Sequence, residues 1–242
     1  MSANPADLAP AGVTALFVVL VLVMAALCVA GVAAAARSAG WSARAPIVTA
    51  VALAAWLALT AGLAASGAIA DFSTLPPRFL FLFVPTLAAL VALGRSRALA
   101  PLLAAAPPTW AVHAQSFRIV VEVMLWLLVA SRAVPEIMTF HGHGRNFDIL
   151  VGLTAPIVGW ACLTARRWPR GVAIWWNVAG ILVLVNTVLH AQLSAPTRFQ
   201  RIVTDPPITL IVSVPYVWLA AFLVPLAWAL HVISIRQLRR PG

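Results

Sequence analysis

Seven mostly apolar stretches divide this chain, several of them at or above the twenty residues a helix needs to cross a hydrocarbon core. They run over residues 11–36, 45–70, 79–93, 110–131, 146–165, 172–193 and 208–233. Between them no polar segment is long enough to fold separately. Only 9% of the residues are charged and 63% are hydrophobic, whereas a soluble domain carries about 25% charged residues. A chain so poor in charge cannot cover a water-facing surface. The sequence therefore predicts an all-α fold, a polytopic transmembrane bundle of about seven spans occupying 1–242 as one membrane domain. The lipid bilayer is its expected surrounding. The third stretch is short, and residues 98–106 after it, with Pro101 inside and Pro107 and Pro108 following, either extend that helix or lie at the interface. The first stretch reads as a retained span and not a cleaved signal, because its leader holds Asp7 and no Lys or Arg.

All 16 basic residues are Arg, and there is no Lys. With abundant Ala, Pro and Gly, this usage points to a GC-rich bacterial genome. The Arg residues lie between apolar stretches, which makes them topology signals and argues against nucleic acid as a partner. Arg37, Arg44, Arg95, Arg97, Arg166, Arg167, Arg170, Arg236, Arg239 and Arg240 fall on one predicted side. Arg78, Arg132, Arg145, Arg198 and Arg201 fall on the other, together with Asp7, Asp71, Glu136, Asp148 and Asp205. The side richer in Arg is cytoplasmic by the positive-inside rule, so the N-terminus is outside, the C-terminus is inside, and the location is a bacterial cytoplasmic (inner) membrane. Trp41, Trp110, Trp168, Trp175, Trp176 and Trp228 fall near the predicted cytoplasmic ends, as interfacial rings do.

Polar residues inside the apolar stretches carry the functional information. In the fourth, Gln115, Arg118 and Glu122 lie within about 60° of one another on a helix. A charge at mid-span costs roughly 2.5–3.5 kcal/mol on insertion scales. Arg118 and Glu122 are four apart, so they are expected to pair and to face the bundle interior. They serve either as a buried ion pair that fixes packing or as a polar site for solute, ion or proton. In the sixth stretch Asn186 and His190 share a face, whereas Asn177 points the other way and is expected to hydrogen-bond another helix. Arg118, Glu122, Gln115, Asn186 and His190 form the candidate intramembrane binding set. Pro85, Pro156, Pro215 and Pro225 lie within spans and free carbonyls that neighbouring helices must satisfy.

The connection between the fourth and fifth stretches holds His141, His143, Arg145, Asn146 and Asp148. His141 and His143 could ligate a metal with Asp148 or His190, but no third ligand is placed by the sequence, and a solvated loop accounts for them as well. Asn146 can cap the fifth helix, with Asp148 in its positive first turn. His113 and His231 read as histidines near helix ends, and Tyr216 as packing. Cys28 and Cys162 lie in separate apolar stretches and read as small buried hydrophobes, not as a disulfide or thiolate site. Seven spans invite comparison with retinal proteins, but without Lys no retinal Schiff base can form, and no cofactor is expected. Nucleotide-binding, zinc-protease and serine-hydrolase motifs are absent from the sequence.

Three segments carry a resemblance: Phe117 and Arg118 through Glu122; Pro135-Glu136-Ile137-Met138-Thr139-Phe140 running on to Gly144-Arg145-Asn146-Phe147-Asp148; and Ser194-Ala195-Pro196-Thr197 before Phe199-Gln200. Over roughly residues 117–230 the chain resembles a family of uncharacterised bacterial integral membrane proteins, which implies the membrane fold and no activity. Three readings of function follow: a small-solute or ion-handling protein with its site around Arg118 and Glu122; a structural or accessory membrane subunit; and a membrane enzyme acting on a lipid-like substrate at the outer face. The absence of a catalytic motif leans against the third.

Overall fold

The computed structural model describes residues 5–239. Seven principal helices follow one another: α1 (Ala11–Ser38), α2 (Arg44–Ala65), α3 (Phe83–Arg95), α4 (Pro108–Ala130), α5 (Asp148–Thr164), α6 (Arg170–Ser194) and α7 (Leu219–Leu238). α1, α2, α4, α6 and α7 are long and apolar enough to cross a membrane, while Arg78–Ala92 and α5 are shorter apolar helices. No strand occurs among the described residues.

The order of elements follows the apolar stretches, with corrections at their ends. The second stretch stops being helical at Ala65, not at residue 70. The third opens with a 3₁₀ turn, Arg78–Leu82, before α3 begins. Ahead of it Asp71 turns the chain, accepting from the Ser73 hydroxyl at 2.6 Å and lying 3.8 Å from Arg78. The Ser73 hydroxyl, foremost, holds this exposed carboxyl below its usual range. Residues 98–106 do not extend α3. They form a separate short helix, Ala100–Ala105, and Gln237 of α7 donates to the carbonyls of Leu103 and Ala106 beside it. The largest correction concerns 208–233. Residues 208–216 are bends, turns and a 3₁₀ segment, helical backbone resumes at Val217, and α7 runs from Leu219 to Leu238. Apolar composition cannot distinguish a buried irregular segment from a helix, and Ile208, Leu210 and Val212 are all buried.

Of these five long helices α4 and α7 are the most enclosed, with 44% and 39% of their spanning windows buried against about a fifth for α1, α2 and α6. α1 and α2 pack as a hairpin, α1 also meets α4, α5 lies between α4 and α6, and α7 touches α3, α4 and α6. The helices turn apolar side chains outward: Leu150, Leu153, Ile157 and Trp160 on α5, and Trp175, Leu182, Val185 and Leu189 on α6. Inward they bury Thr60, Gln115, Arg118, Glu122, Asn177, His231 and Ser234. Apolar outside and polar inside is stable in lipid, which offers exposed polar groups no hydrogen bonds.

One tryptophan repairs a backbone defect of the kind the prolines predict. Pro225 has no N–H for the carbonyl of Ala221, four residues earlier, and the indole of Trp56 on α2 donates to that oxygen at 2.8 Å. Trp218 returns the bond, donating to Leu57 of α2 at 3.0 Å. Helical widening of the π type, Leu219–Leu223, sits at the same place. A second widening, Gly159–Thr164, follows Pro156 in α5. Tyr216 packs 5.2 Å from the Phe17 ring and shares a hydrogen bond with Thr14, so it anchors α1 as well as filling space.

Candidate functional site

α6 and α7 present matching inward stripes, Ala173, Asn177, Gly180, Leu184 and Ala227, His231, Ser234, Leu238, at helical spacing. Gly180 is needed where they touch: a Cβ there would stand 2.3 Å from Cε1 of His231. Asn177 donates through Nδ2 to Ala173 O and to Ser234 Oγ, at 2.7 and 2.9 Å. Because a carbonyl only accepts, this fixes the amide orientation, and Asn177 Oδ1 then accepts from His231 Nδ1 at 2.8 Å. The proton is on Nδ1, and Nε2 of His231 remains an acceptor. That atom is buried and has no hydrogen-bond partner. His231 is thus not a histidine at an interfacial helix end: it is fully buried in the bundle.

Arg118 lies in the same interior, within electrostatic reach of His231, and its side chain is only 2% exposed. Its Nη1 is 3.8 Å from Asp148 Oδ1, too far for a hydrogen bond. Nε, Nη1 and Nη2 of Arg118 and Oδ1 of Asp148 are all buried and have no hydrogen-bond partner. Gln115, one turn earlier, anchors its amide nitrogen to Ala227 O at 3.0 Å, and its Oε1 is likewise buried without a partner. Three helices therefore bring a guanidinium and three acceptors into one interior without bonding them to each other.

The expected Arg118–Glu122 ion pair does not form; the carboxylate nearest Arg118 is Asp148. Glu122 turns toward the α4–α5 connection. Its Oε1 accepts from Trp126 Nε1 at 2.6 Å and from the Phe140 backbone N–H at 2.5 Å, and its Oε2 from Asn146 Nδ2 at 3.3 Å. Helical spacing alone permits the pair, but three donors from the same helix and the connection outcompete it. Asn146 is the hub: Nδ2 also donates to Met138 O, while Oδ1 accepts from the Asp148 N–H and from Thr187 of α6. Asn146 does not hold the cap position expected for it, which is Phe147; it stands one residue ahead, and Asp148 is in the first turn of α5 as expected. Asn177 bonds another helix as expected.

Asn186 and His190 belong to the loop end of the bundle. Asn186 Nδ2 donates to Arg145 O at 2.7 Å, and His190 Nδ1 donates to Asn186 O at 2.9 Å. There a cavity of about 490 Å³ is lined by Pro135, Glu136, Ile137, His143, Arg145, His190, Ile202, Thr204 and Asp205. His141 and His143 are exposed, and among the described residues no group of three or more His, Cys, Asp or Glu is placed to hold a metal ion. The two glycines of this loop serve close approach. Gly142 has φ +59° and leaves room for the Glu136 carboxylate, and a Cβ on Gly144 would stand 1.9 Å from Thr139 O. Cys28 and Cys162 are free thiols.

A family model, "Domain of unknown function (DUF8737)", matches residues 76–239, about two thirds of the chain. The chain belongs to this family. No curated protein and no solved structure matches it. The family region begins ahead of the segments that carry the sequence resemblance and holds both the Arg118 interior and the loop-end cavity. α1 and α2 precede it, so Trp56, which satisfies Ala221, reaches into the family region from outside.

Of the residues singled out by sequence, Arg118, Gln115 and Asp148 share the interior, Glu122 and Asn146 brace the loop, and Asn186, His190, His143 and Arg145 gather at the cavity. His231 was the site residue that sequence reading missed. Its available signal was its stripe, with Ala227 four before and Ser234 three after, which marks it as buried.

Proposed function

We propose that the protein binds a small polar solute or ion in the interior around Arg118, crossing a bacterial inner membrane seven times with its C-terminus in the cytoplasm. The observation that carries this is the unbonded guanidinium. Buried polar groups are almost always hydrogen-bonded, and each one left without a partner costs about 1–3 kcal/mol. Here Arg118 Nε, Nη1 and Nη2 face that cost together with Gln115 Oε1, Asp148 Oδ1 and His231 Nε2. A guest that accepts from Arg118 and donates to the three acceptors removes it. Arg118 would hold the electron-rich end, Asp148 would balance the charge, and His231 would orient the guest through its fixed tautomer.

The seven-span reading is supported by helix lengths. α5 is about 25 Å long, and Arg78–Leu82 together with α3 about 30 Å, near the thickness of a bilayer core. Ten Arg residues against five support the orientation. A reporter active only in the cytoplasm, fused after Gly242, should be active; silence in a correctly inserted protein sinks the orientation.

The reading of an accessory subunit rests on closure, because Arg118 and Glu122 are 2% and 1% exposed. The two are separated by a thermal-shift screen of purified protein against small anions and neutral polar solutes. A solute that raises the wild-type melting temperature but not that of Arg118→Leu supports the solute site. No shift, or an equal shift in the variant, favours the accessory role. No catalytic residue is proposed.

A further inference from the structure

The loop-end cavity is separate from the Arg118 interior, and its walls are fixed by backbone bonds. On one side Arg145 N–H donates to Ile137 O at 3.1 Å, Asn146 N–H to Thr139 O at 3.0 Å, and Asn186 holds Arg145 O. On the other the N–H groups of Arg201 and Ile202 donate to Leu193 O at 2.8 and 3.0 Å, and Gln200 Nε2 donates to Ser194 O. A pocket with walls so bonded is preformed, as ligand sites usually are.

Its lining is chemically mixed. Arg145 supplies a planar cationic fork suited to phosphate or carboxylate. Glu136 and Asp205 supply two carboxylates. Among the described residues Arg145 forms no ion pair with Glu136 or Asp205, in contrast to Arg78 with Asp71 and Arg118 with Asp148. His190 has its Nδ1 proton committed to Asn186 O, so Nε2 is the ring atom left for a ligand, an acceptor in the neutral ring. Thr204 Oγ1, also in the lining, is buried without a hydrogen-bond partner. One cationic donor set lining the same cavity as several acceptors fits a ligand that carries both signs. The cavity also lies at the helix ends, where the C-terminal part of α6 and the start of α5 meet the connections, the level at which lipid headgroups sit.

We propose that this cavity binds a zwitterionic group bearing a primary ammonium and a phosphate, with Arg145 on the phosphate and Asp205, Glu136 and His190 Nε2 on the ammonium. Such a group occurs both in an ethanolamine lipid headgroup and in free phosphoethanolamine. Protein in uncharged detergent is titrated calorimetrically with phosphoethanolamine, inorganic phosphate and ethanolamine. In parallel it is analysed by native mass spectrometry from micelles holding equal phosphatidylethanolamine and phosphatidylglycerol. The zwitterion should bind at least about tenfold more tightly than either fragment, and Arg145→Gln and Asp205→Asn should each weaken it about tenfold. Both side chains are exposed, so folding should be retained, which an unchanged melting temperature checks. If only the lipid is retained, and the variants lose it, the source is the headgroup and the proposal stands. The proposal is overturned if neither form binds, if phosphate alone binds as tightly, or if both variants keep wild-type affinity. None of these variants touches Arg118, so the outcome is independent of the solute site.

Discussion

Glu122, in the middle of a helix long and apolar enough to cross a membrane, accepts the backbone N–H of Phe140 at 2.5 Å and so ties α4 to the connection that leads into α5. With Trp126 and Asn146 on the same carboxylate, a buried charge becomes a clamp on a loop. Glu122→Gln replaces one acceptor oxygen by a donor that faces another donor. It should destabilise the protein by about 1–3 kcal/mol and loosen the loop. Thermal melting together with trypsin cleavage after the exposed Arg145 measures both. Cleavage no faster than in wild type would show that the clamp does not hold the loop.

Arg118 should couple to Asp148 and not principally to Glu122, since the carboxylate near its guanidinium is that of Asp148. Double-mutant cycles with Arg118→Leu, Asp148→Leu and Glu122→Leu read this directly. The Arg118–Asp148 coupling should fall in the range of about 0.5–3 kcal/mol and exceed the Arg118–Glu122 coupling. The reverse order would restore the helical pair expected from spacing.

Trp56→Phe leaves Ala221 O without its indole donor and should cost about 1–2 kcal/mol of stability. In a Pro225→Ala background a backbone N–H becomes available to that carbonyl, so the same substitution should cost less. Equal costs in both backgrounds would mean that the indole does not compensate for the proline.

Gly180→Ala places a methyl against the His231 ring and should destabilise the α6–α7 contact by about 1–3 kcal/mol. Gly62→Ala and Gly171→Ala meet no atom within 4 Å and serve as controls in the same melting assay. A melting temperature of Gly180→Ala equal to those of the controls would show that the helices do not approach so closely.

The helical segments were legible because apolar runs of bilayer length have few alternatives, and the inward placement of Gln115, Arg118 and Glu122 followed from their shared face. What spacing could not supply was the choice of partner. Glu122 and Arg118 are neighbours on one helix, yet Phe140 and Asn146 arrive from a distant connection, and Asp148 reaches Arg118 only because α5 packs against α4. The start of α7 was hidden for a different reason: Leu210 and Val212 are buried, and apolar composition reads the same in a turn as in a helix. An apolar run that stops at residue 233 puts His231 near its end, whereas α7 continues to Leu238 and places it inside the bundle.

Whether the Arg118 guanidinium is completed by a guest is read from density around this residue in lipid, at a resolution that shows ordered water. A solute or waters should bridge Arg118 to Asp148, Gln115 and His231. A dry interior in which Arg118 closes onto Asp148 in a direct bidentate pair would contradict it.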